Sequence, residues 1–436
     1  MYYAALERQR KQQAADDAHK ARLAEFVKDK IAPSPLRVML VESGGYHDEV
    51  YASLIYAFAQ LPSTYVTPYL WRPRFNISDI LYSFNLNNLA VPRNASVLIK
   101  EGEKFGDQDP LPDVLVSTTC EVDITKMEAP YKKLLDAGTH MFCVIHHSDR
   151  WHVDTRYKVY QRIQPWLEKG QVTFLFLSEH TMRYAQSKVV SSWEKKHQDA
   201  VKDRMKVFVP VFPVSLRTKD ELSIAVQGNY ESSRRDYPGL FGQFENLTKS
   251  DGAAETMGYG SKLKDLRLHL IGSGKTRPEV PAALKDQVEF NEGLNFRQFY
   301  DVLADSSALV PAFATDEYYD RKASSSVPAS LIAGTPIVCT RQMLQAYTYL
   351  TEDSVWLQEF GEEDLDTVAR VVSKGDAFIK RGKMAVKQRL TELLGDNEAN
   401  IMTWLKDLKF KVERTGKEVE RPTEAWRWEW KTSDLN

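Results

Sequence analysis

Residues 37–45, RVMLVESGG, decide the fold of this chain. A short apolar run ends in a Ser-Gly-Gly turn, and residues 47–60 behind it place apolar side chains at helical spacing. A strand, a glycine turn and a helix in this order open a doubly wound α/β domain. The sequence therefore predicts a parallel sheet whose first strand ends at the glycine pair.

The same pattern returns along the chain in two groups of runs. Each run is almost continuously apolar, as expected of parallel strands that helices cover on both faces. Two such groups predict an α/β fold with two Rossmann-like, doubly wound parallel sheets that face each other across a cleft. The later runs are residues 113–117, 141–146, 172–178 and 206–213 in the first group, and residues 222–227, 266–272, 288–291, 308–313, 336–339 and 355–357 in the second.

The predicted domains follow from where the two groups meet. A polar stretch with turn character, residues 215–221, separates the groups. Beyond residue 364 the pattern is helical up to residue 408, with a joint between two helices at Gly395. The predicted segments are an N-terminal helical extension (1–34), a first Rossmann-like domain on the acceptor side (35–216), a second Rossmann-like domain on the donor side (217–395), and a C-terminal helix and tail that pack back on the first domain (396–436).

The composition excludes several classes of protein. The 436 residues are 43 % hydrophobic and 11 % aromatic, which excludes intrinsic disorder. Lys and Arg number 58 against 60 for Asp and Glu, so no net field attracts a polyanion, and we expect no nucleic-acid partner. Three cysteines, Cys120, Cys143 and Cys339, have no Cys-x-x-Cys spacing, which excludes a disulfide framework and a thiolate zinc site.

Two cellular locations stay open at this point. The sequence has neither an apolar run of 18 residues nor the apolar core of a signal peptide, which predicts a soluble, cytoplasmic chain as given. Residues 1–30 are rich in Ala, Gln, Lys and Arg, as in the stem left by a removed membrane anchor. That alternative places the protein at ER or Golgi membranes, where the sequons at Asn76, Asn94 and Asn246 are compatible with glycosylation.

Candidate site residues of the first domain follow the predicted strands, because ligands of open parallel sheets bind beyond the carboxyl ends of strands. Gly44 and Gly45 leave N–H groups open to a phosphate or a sugar hydroxyl, and His47 is the side chain best placed to reach the cleft. His146 and His147 concentrate titratable groups behind a later strand. The alternatives are an ordinary tight turn for the glycines, and surface histidines or a metal site for the histidines. No metal is predicted, because adjacent histidines in a loop diverge.

The loops of the second domain offer charge and glycine. Asn229, Arg234 and Arg235 follow its first strand, and a guanidinium group presents a bidentate fork to phosphate oxygens. A solvated basic turn is the alternative. Gly272 belongs to a glycine-rich turn after the next strand, and His269 stands where a Walker A loop requires its first glycine.

Residues 311–336, PAFATDEYYDRKASSSVPASLIAGTP, carry the most information about function. A strand ends, a polar loop follows, and a helix begins among small residues. Hydroxyl and N–H groups at the amino end of a helix bind a diphosphate naturally, and Lys322 adds positive charge. The candidates here are therefore Lys322 and the three serines Ser324, Ser325 and Ser326.

This organisation resembles the GT-B glycosyltransferases over roughly residues 37–408. Residues 307–338 resemble the large retaining nucleotide-sugar family that includes sucrose synthases and many mannosyltransferases. The resemblance implies a hexosyl- or glycosyltransferase that takes its sugar from a nucleoside diphosphate sugar of UDP or GDP, without a further cofactor. It implies a carbohydrate, glycolipid or protein as acceptor. It also implies that His146 contacts the donor sugar, that Arg234 or Arg235 and Lys322 hold the diphosphate, and that the Gly272 turn lies near the base.

The chain departs from that family at two positions. Retaining members carry two glutamates in this region, and the corresponding residues here are Arg321 and Ala329. Glu317 is the candidate to substitute for the first glutamate. The departure favours, as an alternative, a non-catalytic GT-B protein that binds a sugar or a nucleotide. A non-hydrolysing sugar-nucleotide epimerase, which shares the architecture, is a further alternative.

The expected mechanism is retaining and independent of metal. No Asp-x-Asp motif stands at the end of a predicted strand, so nothing in the sequence requires a metal ion. In retaining transferases of this kind the leaving phosphate can accept the proton of the acceptor hydroxyl. A general base, if one acts, comes from the first domain, where His47 or His147 has the suitable ordinary pKa.

Overall fold

The computed structural model describes residues 36–61, 64–100, 110–216, 219, 222–249 and 263–408. The first sheet consists of β1 (Leu36–Glu42), β2 (Thr64–Leu70), β3 (Arg93–Asn94), β4 (Val114–Ser117), β5 (His140–Ile145), β6 (Val172–Phe176) and β7 (Met205–Val207). The second sheet consists of β8 (Ser223–Gln227), β9 (Arg267–Ile271), β10 (Val288–Asn291), β11 (Ala308–Leu309), β12 (Ile337–Cys339) and β13 (Val355–Leu357).

All strand pairs in both sheets are parallel. The first sheet has the order β3-β2-β1-β4-β5-β6-β7, and the second has the order β10-β9-β8-β11-β12-β13. In each sheet the order reverses beside the first strand, which creates a crevice at the carboxyl ends of the central strands. The predicted α/β class with two parallel sheets is confirmed.

Helices connect the strands and cover the sheets. In the first domain they are Asp48–Ala59, Ile77–Ser83, Ser96–Lys100, Cys120–Lys126, Glu128–Asp136, Val159–Glu168, Glu179–Tyr184 and Lys195–Val201. In the second they are Tyr237–Lys249, Phe296–Asp305, Glu317–Asp320, Ser326–Ala333, Arg341–Ala346 and Asp364–Ser373, and Asp376–Leu408 follows them. No helix among the described residues has both the length and the apolar character needed to cross a membrane.

Strands β2 and β3 were not predicted. Pro68 lies inside β2, and a proline in an apolar run argues against a strand because it has no N–H to donate. The N–H of Val66 donates to the carbonyl of Asn88. Residues two apart in a strand direct their N–H groups to the same side, so the N–H that Pro68 lacks would point to this side, where few residues are paired. The sheet therefore tolerates the proline near its edge.

The helix Asp376–Leu408 joins the two domains. It runs unbroken through Gly395, where the sequence predicts a joint between two helices. Near its start, Gly382 packs against the ring of Trp356 in the second domain. Towards its end, Asn397 exchanges two hydrogen bonds with the backbone of Val209 in the first domain. The ring centroid of Trp404 lies 6.1 Å from that of Phe142, also in the first domain.

One apolar cluster extends through both domains. Val38 and Leu40 of β1 belong to the same buried cluster as Leu309 of β11 and Ile337 of β12, together with Trp404 of the joining helix. Burial of a continuous apolar surface of this kind is the main favourable term in folding. The predicted segment 1–34 lies outside the described residues, as do residues 409–436. The predicted domain boundaries stay a prediction.

A disulfide joins Cys120 to Cys143, with 5.3 Å between their Cα atoms. The absence of short cysteine spacing led us to expect no disulfide framework, and this pair is 23 residues apart in sequence. The sheet brings the two residues together because β4 lies beside β5, where Ser117 is paired with Cys143. Cys339 is buried and is not part of a disulfide.

Candidate functional site

Two interdomain contacts mark the edges of the candidate site. After β2, the carbonyl of Phe75 accepts the N–H of Phe296 at 2.7 Å. After β6, the ring of His180 lies with Nδ1 3.0 Å from the carbonyl of Ala346 and Nε2 3.0 Å from that of Lys322. Strands β1, β4 and β5 lie between β2 and β6 in the sheet. The loops that follow these three strands therefore face the second domain between the two contacts.

His47 and His146 meet on the first-domain side of this cleft. Their rings stack with centroids 3.7 Å apart, and Nε2 of His146 lies 2.8 Å from the carbonyl of Thr118. Burial and the neighbouring His146, His147 and Arg150 lower the pKa of His47 well below its usual 6.5. Burial also lowers the pKa of His146 to about 4. Both rings are therefore neutral near pH 7, and a neutral imidazole can accept a proton.

Glu121 holds the histidine loop in place. Its Oε1 accepts the N–H groups of His146 and His147, each at 2.8 Å, and the indole N–H of Trp151 at 3.2 Å. Three donors on one buried carboxylate oxygen fix the backbone where β5 ends. Burial lowers the pKa of the half-buried His147, so this ring too is neutral at pH 7.

The backbone N–H groups of Gly44 and Gly45 already bind a carboxylate of the protein itself. The N–H of Gly44 donates to Oε1 of Glu42 at 3.2 Å, and the N–H of Gly45 donates to Oε2 at 2.5 Å. Thr119 donates its hydroxyl to the same carboxylate at 2.9 Å. The Glu42 carboxylate takes both N–H groups, so the predicted contact of Gly44 and Gly45 with a donor phosphate stays a prediction that requires this carboxylate to be displaced.

A group of buried carboxyls lies beneath this loop. Asp123 accepts hydrogen bonds from the backbone and hydroxyl of Ser43 at 2.9 and 2.6 Å, and Asp48 accepts the N–H of Arg74 at 2.7 Å. Burial raises the pKa of Asp48 to about 7, and burial beside Glu42 raises that of Asp123 to about 7. The first-domain side of the cleft is thus acidic beneath its surface.

These carboxyls give stability a pH dependence of predictable sign. A carboxyl with a raised pKa binds its proton more tightly in the folded state, so it destabilises the fold as pH rises through about 7. The histidines with lowered pKa act oppositely, since their stabilising effect is lost as pH falls below 6.5. We expect the melting temperature to be lower at pH 8 than at pH 6.5, because in this interval the carboxyls with a pKa of about 7 lose their remaining protons while the histidines oppose them only weakly.

The variant Asp48→Asn tests this dependence, because it removes a titrating group and keeps an oxygen for the N–H of Arg74. We expect the fall in melting temperature between pH 6.5 and pH 8 to become smaller in this variant. The exposed Asp199, which pairs with Lys195, provides the control variant Asp199→Asn. An unchanged slope in Asp48→Asn would assign the pH dependence to other groups.

Arg235 is the most buried cation among the described residues of the second domain, with a relative exposure of 1 %. Its Nη2 donates to the carbonyl of Gln227 at 2.8 Å and to the hydroxyl of Ser326 at 3.0 Å. Its guanidinium lies 5.2 Å from the ring centre of Phe313. Arg235 therefore ties the end of β8 to the helix that starts at Ser326, and its predicted contact with the donor stays a prediction.

The other candidates near the end of β8 differ in exposure. Arg234 is half-buried, and its Nε donates to the hydroxyl of Tyr318 at 2.8 Å. Asn229 is exposed. A Cβ at Gly272 would lie 1.9 Å from the carbonyl oxygen of Gly228, so Gly272 lets two loops pack together. That close contact gives Gly272 a structural reason to be glycine besides its predicted role at the donor.

The three serines have different partners. The N–H of Ser324 donates to the hydroxyl of Tyr347 at 3.0 Å, and the N–H of Ser326 donates to the hydroxyl of Ser324 at 3.3 Å. The hydroxyl of Ser326 donates to Oε1 of Gln227 at 2.7 Å. Ser325 is half-buried, and its N–H donates to no acceptor among the described residues. Of the predicted serines, Ser325 is thus the one whose backbone is available at the start of the helix.

Lys322 and Glu317, predicted to act separately, form an ion pair. The Lys322 ammonium lies 2.6 Å from Oε2 of Glu317, and Arg321 binds the other oxygen of the same carboxylate. These hydrogen bonds lower the pKa of Glu317 below its ordinary value, so it is ionised at neutral pH. Arg321 and Lys322 thus share the Glu317 carboxylate, and Arg321 also lies 3.9 Å from Asp320, so the loop before the helix holds both cations in ion pairs.

The structure adds two residues that the sequence reasoning missed. Glu42 ends an apolar strand, and a charged residue at that position was the available signal. His180 follows β6 just as His146 follows β5, so its place at a strand end was visible in the sequence. Among the described residues, no group of three or more His, Cys, Asp or Glu side chains is arranged to hold a metal ion.

The chain was compared with known proteins. No family model matches its sequence, and no curated protein matches it. Among solved structures, a glycosyltransferase from Rickettsia africae ESF-5 aligns with a TM-score of 0.53 at 9 % identity, over 86 % of this chain and 99 % of that one. HepE from Anabaena in complex with UDP-glucose aligns with a TM-score of 0.50 at 9 % identity, over 86 % of this chain and 100 % of that one. At such identities the similarity establishes the fold alone, and it is the two-domain GT-B fold.

Proposed function

We propose that this protein is a glycosyltransferase that moves a sugar from a nucleoside diphosphate sugar to an acceptor hydroxyl. One observation carries the proposal: the loops after β1, β4 and β5 face the second domain between two interdomain contacts. Such a cleft, at the carboxyl ends of parallel strands, is where this fold binds ligands. A similar structure that is a glycosyltransferase, and another that is bound to UDP-glucose, support the same function.

In this proposal the second domain holds the diphosphate. The helix Ser326–Ala333 offers its positive end and the N–H of Ser325, and the Lys322 ammonium, paired with Glu317 in this structure, exchanges that carboxylate for the diphosphate. Arg234 adds a second cation near the end of β8. These groups neutralise the phosphate charges as the glycosidic bond breaks, which is the largest electrostatic task of the reaction.

The transfer forms a bond from the acceptor oxygen to the anomeric carbon of the donor sugar. The bond from that carbon to the diphosphate breaks, and its electron pair leaves with the nucleoside diphosphate. In the retaining outcome that we propose, the departing phosphate takes the hydroxyl proton and no metal takes part. In an inverting outcome His47 or His147 takes the proton, although burial lowers the pKa of both rings and makes each a weaker base than a free imidazole. Glu317 remains the candidate carboxylate opposite the donor sugar.

Calorimetric titration with UDP, GDP and their glucose and mannose conjugates tests the nucleotide site. We expect at least one of these ligands to bind and Lys322→Ala to weaken its binding about 10- to 100-fold, because a hydrogen bond to a charged group is lost. Folding should change little, since Arg321 still pairs with Glu317. The control is Arg341→Ala, which breaks the exposed pair with Glu352.

Two results would contradict the proposal. Absence of binding by every nucleotide tested would remove the donor site. Nucleotide binding without release of nucleoside diphosphate, measured with a sugar nucleotide and a set of glycan acceptors, would favour the alternative of a non-catalytic binding protein. That alternative keeps its support from the residues at positions 321 and 329, where the resembled family has glutamates.

A further inference from the structure

Two aromatic side chains flank the glycine pair on the first-domain side of the cleft. Tyr46 is 63 % exposed, and its ring lies so close to Gly44 that a Cβ there would be 2.7 Å from Cδ2 of Tyr46. Trp71, directly after β2, is half-buried and lies 3.7 Å from the place that a Cβ of Gly45 would occupy. Gly44 therefore makes room for the ring of Tyr46, and Trp71 lies within ordinary contact distance of Gly45.

The loop that begins with Trp71 reaches the second domain. Trp71 donates its backbone N–H to the carbonyl of Glu42 at 2.8 Å, which attaches it to the end of β1. Four residues later, the carbonyl of Phe75 accepts the N–H of Phe296, so the loop after β2 reaches the opposite domain. Tyr46 also directly precedes His47, the ring that stacks on His146. The two aromatic rings thus lie next to the predicted base and on the acceptor side.

The surface that carries these two rings is closed to a phosphate. The two glycine N–H groups, which would otherwise bind an anion, donate to the Glu42 carboxylate. An incoming phosphate would have to displace a buried carboxylate that also accepts the Thr119 hydroxyl. Asp123 and Asp48 lie behind the loop and, with pKa values of about 7, add partial negative charge at neutral pH, which also opposes a second anion.

The two cations that reach the loop bind its carbonyl groups. Lys126 donates to the carbonyl of Ser43 at 2.9 Å and lies 5.4 Å over the ring of Trp71. Arg74 donates to the carbonyl of Gly45 at 2.9 Å. Both cations hold the loop, and Arg74 also interacts with the carboxyls of Asp48 and Glu49.

We propose that this surface binds an uncharged sugar ring of the acceptor, stacked against Tyr46 and Trp71, and that it discriminates against phosphorylated sugars. The inference rests on the proposed glycosyl transfer and specifies the acceptor for it. A pyranose has apolar C–H faces that pack on aromatic rings, while its hydroxyl groups stay at the edge where His47 lies. The selectivity comes from Glu42, which takes the N–H groups that a phosphate would use.

Saturation-transfer NMR in the presence of UDP tests the inference. The probes are the methyl glycosides of glucose, galactose and mannose, and the 6-phosphates of the same three sugars. We expect at least one methyl glycoside to bind, with an affinity at least 10-fold above that of the corresponding phosphate. Tyr46→Ala should weaken that binding about 10-fold, as loss of an aromatic stacking contact of about 1.4 kcal/mol predicts.

The control variant is Tyr82→Ala, because Tyr82 is also 63 % exposed but lies on the helix Ile77–Ser83. It should leave sugar binding unchanged. Glu42→Gln, checked for folding by circular dichroism, removes the negative charge and should reduce the preference for the unphosphorylated sugar at least threefold. Phosphorylated sugars that bind more tightly than the glycosides, or sugar binding that Tyr46→Ala leaves unchanged, would overturn the inference.

Failure of the proposed function would look different. Nucleotides bind at the second domain in the proposal, so Tyr46→Ala should change the affinity for UDP less than twofold. Normal nucleotide binding together with no binding of any uncharged sugar would overturn the inference about the acceptor and leave the donor site intact. Absence of nucleotide binding in the unmodified protein would instead overturn the proposed function.

Discussion

Replacing Arg235 with alanine is expected to lower the free energy of unfolding by about 4 kcal/mol. The side chain is 1 % exposed and donates to the carbonyl oxygens of Gln227 and Arg234 and to the hydroxyl of Ser326. Its removal leaves these acceptors without their donor and opens a cavity beside the ring of Phe313. Chemical denaturation measured by circular dichroism gives the change directly.

The neighbouring Arg234 provides a matched comparison. Its side chain is half-buried and donates to the hydroxyl of Tyr318, so Arg234→Ala should cost about 1 kcal/mol or less. In contrast, it should weaken nucleotide binding, because Arg234 is the cation left near the end of β8. A similar loss of stability in both variants would contradict the assignment of Arg235 to the framework and Arg234 to the ligand.

Gly272→Ala is expected to have the second large effect, about 3 kcal/mol or more of lost stability. A Cβ at this position would lie 1.9 Å from the carbonyl oxygen of Gly228, and the φ angle of +157° is one that other residues rarely adopt. The loop after β9 must therefore move away from the loop after β8. We expect weaker nucleotide binding as well, since the loop after β8 carries Arg234.

A second glycine supplies the control for this variant. Gly242 lies in the helix Tyr237–Lys249, where a Cβ meets nothing within 4 Å. Gly242→Ala should therefore raise stability by about 0.5–1 kcal/mol, the usual gain from replacing glycine inside a helix. Thermal denaturation of the two variants compares the effects under one condition. A Gly272→Ala protein as stable as the unmodified one would show that the two loops are not held in contact.

The strands were predictable from the sequence wherever both faces are buried. The central strands β4 and β6 are fully buried and fall within the predicted runs 113–117 and 172–178, because a continuous apolar run leaves few alternatives to a central parallel strand. The edge strands β10 and β13 also have the predicted bounds. Strand β2 was missed, because Pro68 argues against a strand unless the edge of the sheet is already known. The unbroken helix through Gly395 was missed for a similar reason, since packing on both sides outweighs the low helix propensity of one glycine.

The location of the candidate site was more predictable from the sequence than the contacts within it. The location of His47 and His146 followed from the strand ends, but their ring stack depends on the spacing of β1 and β5 across β4. Sequence reasoning treated Arg234 and Arg235 as equals, although packing against Phe313 buries one and leaves the other half-exposed. Which N–H groups Glu42 occupies could not be predicted, because that depends on the course of the turn between residues 42 and 45.

The helix Asp376–Leu408 and the shared apolar cluster have a consequence for cooperativity. Leu40 and Ile337 lie in different sheets but in one buried cluster, and Asn397 pins the joining helix to Val209. Unfolding of either sheet exposes apolar surface of the shared cluster to water. The free energy needed to unfold one domain alone therefore includes part of the free energy needed to unfold both. The molecule is therefore expected to lose its structure as one unit, and hinge motion at the cleft is limited to what this common core permits.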